Sequence, residues 1–204
     1  MFPLTPLPVL VWPKPDAVDK SSPTCSTPLI TAAFLNHAGV VTALVEHKAQ
    51  LELKDARHGL TALASAAKYR QLDALRLLLK AGADPNASDV FGDSALSVGI
   101  KYEEVLTLLV SDPRANANLA NLTGQLPLHK AAERGYVFAL KLLLPLTKDV
   151  NAKDHAGFSP LQCVVLGSSN SLPLHCVLNA SLLSIKRVPG RRLVRVAMGL
   201  SRER

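Results

Sequence analysis

The sequence predicts an all-α solenoid, a stack of short helix pairs, and three observations support this fold class. A short helix-start pattern occurs five times, at residues 27, 61, 94, 126 and 159, so successive copies lie 34, 33, 32 and 33 residues apart. The first four copies are followed by a small-residue pair or its remnant, and then by an aliphatic run. Apolar residues make up 48 % of the chain and aromatic residues only 4 %, which suits helices packed through Leu, Val and Ala. A period of about 33 residues indicates repeated units that each pack on their neighbours.

The second copy of the pattern shows each expected element most fully. Thr61 stands where a first helix begins, and its hydroxyl can cap the free N–H groups there. Ala66 and Ala67 are small enough to let neighbouring helices approach closely. The leucines at 77–79 supply the buried side of a second helix. Gly82 can adopt the left-handed conformation that ends that helix.

The other copies repeat these elements with some changes. The equivalent caps are Thr27, Ser94 and Ser159, and the prolines at the first helical position, where a missing N–H costs nothing, are Pro28, Pro127 and Pro160. Hairpin turns are expected from Asp55 to Gly59, Asp89 to Gly92, Asn121 to Gly124 and Asp154 to Gly157. Repeat three has Gly99 and Ile100 in place of the alanine pair, and Pro113 where its second helix should end. Pro145 should shorten the second helix of repeat four.

These features resemble the ankyrin repeat, which has this period and a T-P-L-H-x-A signature. Leu126-Pro127-Leu128-His129 carries the signature most fully, and the resemblance covers residues 27–167. It implies four to five helix-turn-helix units with β-hairpin fingers, and a structural role for His129. The expected repeats are 27–60, 61–93, 94–125, 126–158 and a partial 159–167. We expect residues 1–26 to form a disordered Pro-rich segment and residues 168–204 a basic tail outside the repeats.

Charge, cysteine content and hydropathy limit the possible classes of protein. The net charge is +7, but residues 171–204 carry +6 of it, so the repeat array is almost neutral. Three cysteines without a C-x-x-C motif argue against a disulfide framework and for a reducing compartment, so we expect the cytoplasm or the nucleus. The sequence contains no run of 18 apolar residues, so it predicts no membrane-spanning helix. The apolar start of the chain lacks the basic region of a signal peptide.

The resemblance implies a non-catalytic protein–protein interaction module, or adaptor, that binds another protein on its concave face. We expect no enzymatic activity, because the chain has no phosphate-binding glycine loop and no nucleophile elbow. No His lies near a Cys or a carboxylate at metal-ligand spacing, so we expect no metal and no cofactor. A small-molecule substrate is not expected, and the protein should be a monomer.

The family's binding geometry selects the candidate partner-binding residues. Two sets of positions are involved, those just after each small pair and those in the fingers. The first set is Phe34, Leu35, Lys68, Tyr69, Lys101, Tyr102, Glu133 and Arg134. The finger set is Arg57, His58, Leu60, Val90, Phe91, Asp93, Gln125, His155 and Phe158, together with Leu122 and Thr123. Tyrosine and arginine are frequent anchors of interfaces. The alternative is that Phe34 and Leu35 make capping contacts and that the two lysines are ordinary solvated charges.

A second hypothesis gives the function to the basic tail, as a binder of nucleic acid or of an anionic membrane surface. Leu193, Val196, Ala197 and Leu200 follow helical spacing among arginines, as in a short amphipathic helix. Residues 186–192 also resemble a nuclear-import cluster. A tail without structure is the other interpretation. In the repeats, Asn86 and Asn151 occupy a position that is hydroxylated in some ankyrin proteins, although an asparagine there can simply close a turn.

Overall fold

The fold is formed by helix pairs, as the sequence predicts. The structure is a computed structural model that describes residue 16 and residues 26–167 of the 204, with side chains as far as Cys163. Within these residues the chain forms α1 Pro28–Phe34, α2 Ala38–Glu46, α3 Ala62–Lys68, α4 Leu72–Lys80, α5 Ala95–Val98, α6 Glu103–Ser111, α7 Pro127–Arg134, α8 Val137–Leu143 and α9 Pro160–Gly167. The described part of the chain contains no strand. The predicted all-α class is confirmed.

The helices form two stacks. The first helices of successive repeats contact each other in the order α1, α3, α5, α7 and α9, while the second helices follow in the order α2, α4, α6 and α8. Within a repeat, α1 packs on α2, α3 on α4, α5 on α6 and α7 on α8. Each repeat therefore packs mainly on its immediate neighbours, which is the arrangement of a solenoid.

The helix starts follow the predicted chemistry at most positions. The hydroxyl of Thr27 accepts a hydrogen bond from the Ile30 N–H at 3.3 Å, and Thr61 accepts one from the Ala64 N–H at 3.3 Å. The predicted prolines open α1, α7 and α9. The prediction was wrong for Ser94, whose hydroxyl is buried and has no hydrogen-bond partner among the described residues. The helix that follows Ser94 lasts only four residues.

The core of the described residues consists mainly of alanines and leucines, together with a few valines and isoleucines. Ala33, Ala66, Ala67 and Ala131 are completely buried between the first helices. Two runs of three leucines lie in or at the end of the second helices of repeats two and four, at 77–79 and 142–144. In each run only the central residue is fully buried, which is Leu78 in α4 and Leu143 in α8. The leucines on either side are half-buried, because one face of a second helix is narrower than three consecutive residues.

Helices α6 and α8 both end shortly before a proline, as the sequence predicts. Helix α6 stops at Ser111, just before Asp112 and Pro113. Helix α8 stops at Leu143, two residues before Pro145. A proline cannot donate the backbone hydrogen bond that would continue a helix, and its ring clashes with the preceding turn.

His129 is a structural residue, as the resemblance implies. Its ring is fully buried, and Nδ1 accepts a hydrogen bond from the Leu126 N–H at 3.1 Å. The hydrogen must therefore be on Nε2, which donates to the carbonyl oxygens of Ala152 at 3.0 Å and Phe158 at 3.2 Å. One side chain thus closes the start of α7 and ties it to the loop and finger that lead into α9.

The predicted hairpin fingers are present as turns. Each turn is closed by the N–H of its glycine, as in the bond of 3.0 Å from Gly92 to the Asp89 carbonyl. Successive turns are joined by single backbone bonds of 3.0 Å, from Val90 N–H to His58 O and from Leu122 N–H to Phe91 O, and by a third between His155 and Thr123. One bond for each pair of turns is too few to form a strand ladder, which is why these residues are not strands.

Asparagine side chains connect the loops that follow the second helices. The amide of Asn86 donates to the Arg114 carbonyl at 2.7 Å and accepts from the Asn116 N–H at 2.9 Å. Asn118 makes the same pair of bonds one repeat later. Asn86 therefore has a structural role in closing its loop against the next repeat.

We predict that Ala66→Asp destabilises the array by roughly 3 kcal/mol or more, because it buries a charge without a partner. Thermal unfolding followed by circular dichroism measures the change. Ala56→Asp is the matched control, since Ala56 is exposed in a finger and should tolerate the same substitution. Equal unfolding midpoints for the two variants would contradict the packing of α3 described above.

Two equivalent glycines allow a second stability prediction. Gly92 and Gly157 both have left-handed backbones, with φ values of 79° and 85°, so alanine strains either position by about 1 kcal/mol. A Cβ on Gly92 would lie 2.7 Å from the backbone nitrogen of Leu122, whereas one on Gly157 meets none of the described residues within 4 Å. We expect Gly92→Ala to cost about 1–3 kcal/mol more than Gly157→Ala in urea unfolding. Equal costs would show that the fingers do not stack this closely.

Candidate protein-binding surface

The first candidate surface is a row of aromatic side chains at the ends of the first helices. Phe34 is the last residue of α1, Tyr69 follows the last residue of α3, and Tyr102 precedes α6. The rings of Phe34 and Tyr69 meet edge to face, with centroids 4.6 Å apart and planes at 85°. Both residues are still 41 % exposed. We call Phe34, Tyr69 and Tyr102 the aromatic row.

Cationic side chains lie against the two tyrosines. The Lys68 ammonium is 5.7 Å from the ring centre of Tyr69, and that of Lys101 is 5.2 Å from the ring centre of Tyr102. The Arg70 guanidinium lies 5.9 Å from the same Tyr102 ring. Cations at these distances are attracted to the ring faces. The predicted lysines, Lys68 and Lys101, therefore lie beside the aromatic row.

Arg70 joins repeats two and three, although the sequence analysis did not select it. Its guanidinium donates to the Glu104 carboxylate at 2.5 Å, and this hydrogen bond lowers the pKa of Glu104. The Arg70 backbone has a φ of 59°, in the left-handed region that Gly135 occupies in repeat four with 68°. Sequence analysis could have selected Arg70 because a bulky residue stands there at a position that suits glycine. A left-handed backbone is strained for such a residue.

Side-chain amides hold the first two units of the row in place. The Gln71 amide donates to the Phe34 carbonyl at 2.7 Å. Asn36 accepts from the Ala74 N–H at 3.1 Å and donates to the Asp73 carboxylate at 3.2 Å. These bonds run between repeats one and two. These hydrogen bonds therefore fix the backbone that carries the Phe34 ring.

The other predicted residues that follow the small pairs are Leu35, Glu133 and Arg134, and they are exposed but lie outside the aromatic row. Glu133 and Arg134 end α7, and Leu35 follows α1. Among the described residues, no ring contact or ion pair connects Glu133 or Arg134 to Tyr102. The contacting side chains thus span repeats one to three.

The second candidate surface lies on the fingers. Leu122 is 70 % exposed, Phe91 62 % and Val90 50 %, which makes them the most exposed large apolar side chains in the described part of the chain. Val90 and Leu122 lie against the glycines of the preceding turns. We call Val90, Phe91 and Leu122 the finger row. Of the other predicted finger residues, Arg57, Thr123, His155 and Phe158 are exposed, while His58 and Gln125 are partly covered.

Two predicted finger residues do not reach the surface. Leu60 is 4 % exposed and belongs to the core, and Asp93 is 6 % exposed. The Asp93 carboxylate pairs with Lys130 and accepts from the Asn121 amide at 3.1 Å. Their inclusion among partner contacts was wrong, because the finger curls over Leu60 and repeat four covers Asp93. Lys130 was missed, since a lysine in a first helix gives no sign of its acidic partner.

The surface carries little that suggests catalysis or metal binding. In the part of the chain that the structure describes, no three His, Cys, Asp or Glu side chains come together as metal ligands would. Burial raises the pKa of the Cys163 thiol, which disfavours the reactive thiolate. No described helix is long and apolar enough to cross a membrane. The exposed aromatic, cationic and apolar side chains are chemically suited to contact another macromolecule.

Comparison with known proteins agrees with this architecture. A family model of ankyrin repeats in three copies matches residues 7–89, and another of ankyrin repeats in many copies matches residues 128–178. Together the two matches cover more than half of the chain.

Relatives in the curated proteins are much longer than this chain. E3 ubiquitin-protein ligase KEG of Arabidopsis thaliana is 33 % identical over 67 % of this chain, which covers 9 % of that protein. Neurogenic locus notch homolog protein 2 of Homo sapiens is 34 % identical over 61 % of this chain, and 5 % of that protein is covered. A palmitoyltransferase of Lachancea kluyveri is 24 % identical over 81 %, with 23 % covered. The periodic helix pairs, the buried alanine pairs and these matches all lead to one conclusion: the chain belongs to the ankyrin-repeat family.

Proposed function

We propose that this chain is a non-catalytic module that binds another protein across the aromatic row and the finger row. Ankyrin repeats are in general protein–protein interaction units, and the fold carries that part of the proposal. The enzymatic names among the relatives belong to proteins of which this chain covers less than a quarter. They give no reason to assign catalysis to the repeats.

The observation that carries the proposal is the exposed contact between Phe34 and Tyr69, extended by the cations around Tyr102. Two half-exposed aromatic rings in van der Waals contact offer a large apolar area that does not have to be ordered when a partner arrives. Tyrosine also loses little rotamer freedom for the area it buries, and both tyrosine and arginine are frequent interface anchors. The row should therefore contribute more binding energy than isolated surface residues.

The cations should give this surface a preference for a partner that carries carboxylates. Lys68 and Lys101 take part in no ion pair among the described residues, whereas Arg70 is paired with Glu104. A partner with carboxylates beside an apolar or aromatic side chain would match this pattern. Apolar side chains of the partner would also cover the finger row, which is uncharged.

The alternative function through the basic tail concerns residues 168–204, which lie outside the described residues. It differs from our proposal in which residues bind the partner, those of the tail or those of the repeats. Removing residues 171–204 should leave partner capture intact under our proposal and abolish it under the alternative. Binding through the tail to phosphate groups would also weaken steeply with added salt.

We predict that Tyr69→Ala with Tyr102→Ala weakens partner capture by about 1–3 kcal/mol, since truncation removes the anchoring rings. Helix content should not change, because neither ring is buried in the core. The measurement is a crosslinked pull-down with the full chain as bait, followed by affinity measurement for the protein recovered. Loss of the contact with Phe34 should lower thermal stability by about 1 kcal/mol at most.

The matched control is Lys80→Ala with Lys153→Ala, two exposed lysines away from both rows. Lys54 is less suitable, because its ammonium donates to the Ser88 carbonyl of the next repeat. If the control abolishes capture while the tyrosine pair has no effect, the partner binds elsewhere and the proposal fails.

A further inference from the structure

Arg70 adopts a backbone conformation that suits glycine better than arginine. Its φ is 59°, and the equivalent residue of repeat four is Gly135, with a φ of 68°. A side chain is strained in this region, because its Cβ comes too close to the following carbonyl oxygen. Asn36 and Lys48 also have left-handed backbones, so the strain alone does not distinguish Arg70. What distinguishes Arg70 is that its side chain lies beside the aromatic row.

The contacts of Arg70 within the fold do not account for an arginine at this position. Among the described residues its guanidinium is hydrogen-bonded to Glu104 alone, and the side chains of Arg70 and Glu104 are 52 % and 47 % exposed. An exposed ion pair and an exposed contact between a cation and a ring each contribute little to stability. Together they do little more than offset the backbone strain, so glycine would serve the fold about as well.

The Arg70 guanidinium has hydrogen-bonding capacity that the fold leaves unused. An arginine side chain carries five N–H donors, and among the described residues a single one of them donates to Glu104. The guanidinium lies 5.9 Å from the centre of the Tyr102 ring, and the Lys101 ammonium lies 5.2 Å from the same centre. Two cations thus flank one ring. A carboxylate of another molecule can bond to Arg70 here while an apolar neighbour covers the ring.

The charges around Arg70 favour an isolated carboxylate over a chain of phosphates. Glu103 and Glu104 open α6, and Asp73 lies in the first turn of α4. The repeat array as a whole is almost neutral. A nucleic acid would bring consecutive phosphates against these acidic residues, whereas a protein segment can present one carboxylate between apolar side chains. The planar guanidinium also matches a carboxylate well, because two parallel hydrogen bonds can form.

We propose that Arg70 determines the specificity of the aromatic row by binding an Asp or Glu side chain of the partner protein, and that Glu104 masks this site in the free chain. The carboxylate that Arg70 binds stands next to an aromatic or apolar residue, which covers the Tyr102 ring. This inference rests on the proposed function, because it concerns the same surface. Glu104 competes with the partner's carboxylate for the guanidinium, so the free chain binds acidic segments less tightly than its cations alone would allow.

A phage-displayed library of random peptides, selected against the full chain, is the probe. We expect the wild-type chain to enrich peptides in which Asp or Glu stands beside an aromatic residue or a leucine. Arg70→Gln should abolish this acidic preference and should weaken an enriched peptide roughly fivefold or more in fluorescence anisotropy, as for an arginine anchor. Arg76→Gln is the matched control, since Arg76 is an exposed arginine of α4 outside the aromatic row, and it should leave the affinity almost unchanged.

Two neighbouring glutamates test the masking. Glu104→Gln removes the competing charge but keeps an oxygen that can accept from Arg70, so the affinity for the same peptide should rise about two- to fivefold. Glu103→Gln removes an equal charge one residue away, and Glu103 belongs to no ion pair among the described residues. Its affinity should rise less. Equal gains from the two variants would show that Glu104 does not mask the site.

Arg70→Gly separates binding from folding. It should lose the same affinity as Arg70→Gln, while its midpoint in urea unfolding stays at or above that of the wild type, because glycine relieves the backbone strain. A lower midpoint with unchanged peptide affinity would assign the arginine to the fold and overturn the inference.

The remaining outcomes distinguish this inference from the proposed function. An acidic preference that Arg70→Gln retains overturns the inference alone, and so does enrichment of peptides without acidic residues. If Tyr69→Ala with Tyr102→Ala leaves the enriched peptides bound, or if no peptide is enriched, the proposed function fails as well. A single-stranded oligonucleotide that binds the wild type and is lost with Arg70→Gln, in the absence of any enriched acidic peptide, would assign the site to phosphate and overturn the inference.

Discussion

The close approach of the first helices is the contact on which the rest of the structure depends. It is possible because the facing residues are alanines with no exposed surface, among them Ala33, Ala66 and Ala67. In repeat three Gly99 replaces the first alanine of the pair. A Cβ on Gly99 would lie 2.6 Å from a methyl carbon of Val105 in α6 and 3.2 Å from the Cβ of Ala67 in α3. Repeat three therefore has no room for a side chain at this position, and a larger residue would force α6 or α3 to shift.

Fixed spacing between the helices brings equivalent positions of neighbouring repeats within hydrogen-bonding distance. Bonds between turns and between loops then recur once per repeat, each with a length near 3 Å. Most of them are exposed and contribute about 0.5–1.5 kcal/mol apiece. They do not drive folding, which depends on apolar burial, but they set the register of each repeat on the next. The regular stacking of the fingers results from this register. The hydrogen bonds that hold the backbone of Phe34 result from it as well.

The sequence could predict what depends on position within a repeat, and much less of what depends on the neighbouring repeat. The prolines, the buried alanines and the turn glycines were predictable, because local geometry demands those residue types. Leu60 and Asp93 were placed on the surface, since a finger position does not reveal what lies above it. The pairing of Arg70 with Tyr102 and Glu104 joins residues more than 30 positions apart. No period or motif indicates that kind of contact. Which of the surface residues touch a partner remains a prediction.

The aromatic row is ordered before a partner arrives. The bonds from Gln71 and Asn36 fix the backbone around Phe34, because they connect repeat one with repeat two. The ring contact with Tyr69 then holds both side chains in one arrangement. A row that is ordered before binding loses little conformational entropy when it is covered. Covering the aromatic row therefore costs less entropy than covering surface side chains that move freely before binding.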